Sequence, residues 1–203
     1  MKLIAEDDIN AEVALIFDGM AIRKAIVNNK ITGCMEGFVD LGQGIADLEN
    51  DDDDDDDTVA SEALIFLLSA LRCHWKYVIG YVFIDKLGAD KQHGLVSRAL
   101  DLAIDHNVNI KTVTCDGTST NFSTMKKFGC KIGKNGENLD GTFTYRGRTF
   151  LFTPDPPHML KLGRNALSHL KVFLDGNGEK IEWRFFENLH GEQQREGLKY
   201  STA

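Results

Sequence analysis

The chain has 203 residues, 42% hydrophobic and 27% charged, the mix of a soluble globular protein of one domain, or one domain plus part of another. Its longest apolar run, residues 63–71, is about half of what a membrane-spanning helix needs, and the acidic start MKLIAEDDIN has no apolar signal core, so neither a membrane span nor a secretory signal is expected. The formal charge is −8, and residues 51–57 are seven consecutive aspartates, whose mutual repulsion predicts a solvated, disordered acidic loop. Residues 1–119 carry a net −12 and residues 120–203 a net +4, which is not basic enough by itself to mark a nucleic-acid binder. Four widely spaced cysteines, Cys34, Cys73, Cys115 and Cys130, form no CxxC pair. They argue against a zinc ribbon or a disulfide framework and for reduced thiols in the cytosol or nucleus.

In chain order, residues 12–17 (EVALIF) read as a buried strand ending at Asp18-Gly19, and residues 37–41 (GFVDL) as a second short strand. Residues 62–71 fit a buried strand or a buried helix equally, while the β-formers of 76–84 (KYVIGYVFI) predict a strand. Residues 90–106 read as a helix with Leu95, Leu100, Leu102, Ala103 and Ile104 on its apolar side. Residues 108–114 predict a strand ending at Cys115-Asp116-Gly117, followed by a helix over 118–128 that Gly129 stops. Residues 131–140 are turn-rich, and 142–145 with 148–153 predict a hairpin around Arg146-Gly147. Pro156 or Pro157 can open a helix over 158–173; a tight turn at 175–178 and a helix over 182–198 follow. This order predicts an α/β protein with a mixed sheet and helices on its faces.

Two segments share one context. Phe17-Asp18-Gly19 and Cys115-Asp116-Gly117 each place an aspartate where a buried strand ends. Sites in open α/β sheets gather at the carboxyl ends of strands. If the strands are neighbours, the two carboxylates face each other, and Mg²⁺ or Mn²⁺ between them would relieve their repulsion and serve in-line displacement at phosphorus. Asp-Gly is also a common turn, and that reading stands beside the metal one. Asp155 ends a third strand and either caps the next helix or joins the two aspartates; Lys161, Arg164 and His169 on that helix meet either solvent or phosphate. Other motifs fail on detail: Gly133-Lys134 is followed by Asn135, not the Ser or Thr of a phosphate loop, and the calcium-loop-like 175–179 has Lys180 where glycine is needed.

The strings FDGMAIRK (17–24), GFVDLG (37–42), WKYVIGY (75–81), VTCDG (113–117) with Asn121, and DPPHMLKLGRN (155–165) together resemble the P-element transposase family, which includes the THAP-domain transposase relatives. The resemblance runs in order over nearly the whole chain apart from the aspartate run. It implies an RNase H-like catalytic core of the DDE class over residues 1–157 and, over 158–203, the start of a GTP-binding insertion domain. It assigns Asp18 and Asp116 as catalytic, metal-holding residues for Mg²⁺ or Mn²⁺. GTP is implied as a ligand of the complete family protein, DNA (transposon ends and target) as the partner, and the nucleus as the location, with self-association into a homo-oligomer left open. The family's third acid, a glutamate, lies beyond the insertion; Glu182, Glu187 and Glu192 are not in its context, and Gly19 stands where many relatives carry an acid. The zinc-containing THAP module is not seen either. The expected product is therefore a transposase core fragment, inactive alone. The alternatives are a domesticated non-catalytic DNA- or protein-binding module on the same fold, and a plain α/β domain with structural Asp-Gly turns.

Overall fold

The structure is a computed structural model that describes residues 11–42, 58–133 and 139–197. Its elements are β1 (Glu12–Ala21), β2 (Val27–Asn28), β3 (Met35–Glu36), β4 (Glu62–Ala70), β5 (Lys76–Ile84), α1 (Ala89–Asp105), β6 (Asn109–Cys115), α2 (Ser119–Lys127), β7 (Thr142–Tyr145) and β8 (Arg148–Pro154), then α3 (Pro156–Leu170), β9 (Val172–Leu174), β10 (Lys180–Glu182) and α4 (Arg184–Arg195). The chain divides into two compact units, Met1–Asp155 and Pro156–Ala203.

In the first unit, a six-stranded mixed sheet has the order β5-β4-β1-β6-β8-β7. The β1–β6 and β6–β8 pairs are parallel and the others antiparallel. Parallel neighbours need crossovers: the chain runs from β1 to β6 by way of β4, β5 and α1, and from β6 to β8 by way of α2 and β7. The core lies between one sheet face and these helices: Val13, Leu15, Phe17, Phe66, Leu68 and Val113 meet Leu95, Val96, Leu100 and Met125, all buried. Residues 62–71, open between strand and helix in sequence, form β4 because both faces are engaged, with Ala63, Leu64, Phe66 and Leu68 buried and Ile65 and Leu67 half-buried.

Local chemistry explains the remaining boundaries of this unit. Thr118 caps α2, its Oγ1 accepting from the Asn121 amide at 3.4 Å, and Gly129 at φ +106° lets the chain leave the helix. The β7–β8 turn has positive φ at both Arg146 and Gly147 (46° and 72°), the geometry that suits the twist of a two-residue hairpin. Arg146 then donates to Asp101 and Asp105 of α1 at 2.9 Å each.

The second unit holds α3, the β9–β10 hairpin and α4. Asp175 Oδ1 pins the hairpin turn by accepting from the Asn177 and Glu179 amides at 2.8 Å each. Lys171 pairs with Glu187 at 3.0 Å, and Trp183 stacks on Phe186. Among the described residues of this unit only Leu167 is buried, while Leu160, Leu170, Leu174 and Phe185 are 60% or more exposed.

Several sequence expectations need correction. β1 does not end at Asp18 but continues to Ala21, because β4 pairs with it that far (Ala21↔Glu62). Residues 37–41 make isolated bridges, Phe38↔Val59 and Asp40↔Phe83, rather than a strand. The helix opened at Pro156 stops at Leu170, where Lys171 adopts φ +66° and the chain turns into β9. The last helix spans Arg184–Arg195. Leu102 is 41% exposed, since two residues beyond buried Leu100 is the opposite side of a helix; Gln92, Val96 and Ala99 complete the buried stripe. The seven-aspartate run and residues 134–138 lie outside the described residues.

This phase of α1 gives a paired prediction. Leu100→Ala is expected to cost about 2–5 kcal/mol in urea unfolding, whereas Leu102→Ala should stay within roughly 1 kcal/mol; equal costs would contradict the placement.

Candidate functional site

The pairing of β1 with β6 reaches Ile16↔Thr114. Two residues further on stand Asp18, still within β1, and Asp116, one residue past the end of β6. Alternation along β1 sends Phe17 into the core and leaves Asp18 exposed. Both residues line one cavity of about 460 Å³ at the carboxyl ends of these central strands, together with Glu62, Asp85, Lys86, Gln92 and the N-terminal end of α2. The two aspartates of the sequence reading are thus brought together.

Asp116 is held tightly. Its Oδ1 accepts from the Thr118 amide at 3.1 Å and from Asn121 Nδ2. Among the described residues nothing donates to Oδ2, nor to either oxygen of Asp18. The N-terminus of α2 follows directly, and its unpaired amides favour negative charge there. Behind Asn121 lies Gln92 of α1, whose Nε2 donates to Asn121 Oδ1, and behind that Thr124, whose Oγ1 stands 3.4 Å from both Gln92 Oε1 and the Ala89 carbonyl.

The surroundings are mixed in charge. The Lys24 ammonium contacts Asp85 at 2.7 Å and, with the Ser61 hydroxyl, holds its carboxyl below the usual carboxylate range. Glu62 reaches over Gly19: a Cβ there would stand 3.3 Å from Glu62 Oε2. Cys115, between the strand and Asp116, is buried; burial first, then the charges of Asp116 and Asp18, push its thiol far up. Burial, and then Asp140, raise Cys130 to about 11.

Asp155 follows β8, its amide donating to the Cys115 carbonyl at 2.8 Å, but it is not part of the cavity lining. Lys161, Arg164 and His169 lie on α3 in the second unit. Glu182, Glu187 and Glu192 are there too, paired with Arg184, Lys171 and Arg195. Among the described residues, no group of three or more His, Cys, Asp or Glu side chains is placed to hold a metal ion. The oxygen-only pair Asp18 and Asp116, with one Asp116 oxygen unclaimed, still fits Mg²⁺ or Mn²⁺, which accept one or two carboxylates and keep bound water.

Sequence reasoning missed Glu62 and Gln92. Glu62 was hidden because the segment it opens read as strand or helix. Gln92 carried a signal: it stands three and four residues before Leu95 and Val96, a polar residue in core phase.

The thiols give a pH prediction. Folding raises both buried thiols above their ordinary 9.0, so the unfolded chain ionises first and stability falls as pH climbs from about 9 through about 11. Cys130→Ala should flatten that alkaline decline in denaturant titrations; an unchanged slope would contradict it. Iodoacetamide should label exposed Cys34 in the native protein and Cys115 only after unfolding.

Comparison with known proteins agrees with this architecture. The family described as TNP-like, RNase H N-terminal domain matches residues 1–129, and TNP-like, GTP-binding insertion domain matches residues 157–203. The human protein DNA transposase THAP9 is 22% identical over 193 residues, covering 94% of this chain and 20% of that protein. The solved Drosophila P element transposase strand transfer complex superposes with a TM-score of 0.64 at 17% identity, covering 94% of this chain and 36% of that one, a likeness of fold. The chain spans about a fifth of the length of the human relative. With the RNase H match alone covering well over half of its length, the chain belongs to the P-element transposase family.

Proposed function

We propose that this chain is part of a DNA transposase catalytic core whose Asp18 and Asp116 hold a divalent metal ion. The observation that carries the reading is the convergence of these two carboxylates on one cavity from neighbouring parallel strands. When bound, Mg²⁺ or Mn²⁺ supplies Lewis acidity that activates water or a DNA 3′-hydroxyl and stabilises the leaving oxygen. The chain's own residues prepare the place. Pairing with Ile65 of β4 fixes the backbone at Asp18, Asn121 and Thr118 claim one oxygen of Asp116, and α2 directs amide dipoles toward the charge. Lys86 on the lining adds a positive charge that favours an approaching phosphodiester. Residues 157–203, on this reading, belong to a domain that takes GTP in the complete protein, and the DNA partner places the protein in the nucleus.

The second reading is a non-catalytic DNA- or protein-binding module on the same fold. Thermal unfolding with Mn²⁺ separates the two. Saturation at about 100 times Kd should stabilise the wild type by about 2.7 kcal/mol, a rise of several degrees, and leave Asp18→Asn unmoved. No gain in the wild type would sink the metal claim. The same 203-residue chain is expected not to nick DNA in Mg²⁺; nicking that vanishes in Asp116→Ala would show that two carboxylates suffice.

A further inference from the structure

Three buried polar side chains occur among the described residues: Gln92 (4% exposed), Asn121 (9%) and Thr124 (0%). All three belong to one hydrogen-bonded chain, and it ends on Asp116. Thr124 Oγ1 stands 3.4 Å from both Gln92 Oε1 and the Ala89 carbonyl and can donate to either, Gln92 Nε2 donates to Asn121 Oδ1, and Asn121 Nδ2 donates to Asp116 Oδ1. Both amide links run in the same sense, donor toward the carboxylate.

That sense has a structural cause. A side-chain amide can present either its oxygen or its NH₂ to a neighbour. Facing a carboxylate, only the NH₂ end is favourable, and Gln92 requires the oxygen end on its own side. The two demands agree, so Asn121 is held in one orientation from both directions. Gln92 and Asn121 are buried to within a few per cent although both border the cavity, so an unmade bond there is costly. Gln92 comes from α1 and Asn121 from α2, so the packing of two helices is converted into the rotation of one carboxylate.

We propose that Gln92 is a positioning residue for the metal site: acting through Asn121, it fixes Asp116 so that Oδ1 is engaged and Oδ2 is presented to the cavity. The inference rests on the metal-holding role given to Asp116 above. Partners behind a metal ligand typically matter by 10–100-fold in affinity.

The test uses the full 203-residue chain and two readouts. The first, free of metal, is hydrogen exchange of the Asn121 side-chain NH₂ by ¹⁵N NMR. The second is Mn²⁺ affinity by electron paramagnetic resonance. Gln92→Met keeps length and apolar packing while removing both bonds. It is expected to speed Asn121 NH₂ exchange about tenfold and to weaken Mn²⁺ binding about tenfold or more. Thr124→Val acts one link further out with little change of shape, and should move both readouts the same way by about twofold, so the idea stays testable if Gln92→Met does not fold. Unchanged Asn121 exchange in a folded variant would overturn the positioning role whatever the metal does. Faster exchange with unchanged Mn²⁺ affinity would overturn its link to the metal site. If the wild type binds no Mn²⁺, the proposed function fails and the link to the metal site fails with it, while the exchange data still decide whether Gln92 orients Asn121.

Discussion

The parallel pairing of β1 with β6, and one irregularity within it, governs where the chemistry of this chain can sit. The register runs Glu12↔Asn109 and Val13↔Ile110, then jumps to Ala14↔Thr112, so Lys111 is passed over. Continued without the jump, the first register would set Asp18 beside Cys115. With it, Asp18 aligns with Asp116. Side chains alternate with period two, so a shift of one residue exchanges the faces of every later pair. The extra residue therefore decides whether a carboxylate meets another carboxylate or a buried thiol.

The two carboxylates are then treated differently. Asp18 stays on an exposed stretch of β1, just past the last β6 pair at Ile16 and held there by β4 through Ile65, positioned by backbone alone. Asp116 sits just past a strand end, where the backbone supplies less restraint, and side chains from two helices supply the rest. Between strand and helix, Cys115 stays neutral because burial and two nearby negative charges disfavour its thiolate. A reactive thiol beside the cavity is thereby avoided.

Much of this was legible in the amino acids, for identifiable reasons. The β-formers of 76–84 and the segment 108–114 mark strands that the structure places at Lys76–Ile84 and Asn109–Cys115. Asp18 and Asp116 stood out because each follows an apolar run and precedes glycine. Their being neighbours depended on strand order, a long-range property that no window of sequence contains. The phase of α1 was misjudged at Leu102 because leucine alone carries no direction; the polar Gln92 in the stripe was the better guide. The β9–β10 hairpin was missed because Val172-Phe173-Leu174 continues an apolar helix pattern, and only the backbone turn at Lys171 breaks it. Glu62 reaches the cavity through a register that pairs it with Ala21, which local pattern could not supply.

The thin interior of the second unit has its own consequence. Cooperativity arises from shared burial, and among its described residues a single leucine is enclosed. Such a segment opens in small local steps of low free energy, while the six-stranded sheet melts as a block. Proteolysis should therefore begin within residues 158–197, trimming the chain back to a resistant sheet-and-helix remnant before the sheet itself gives way.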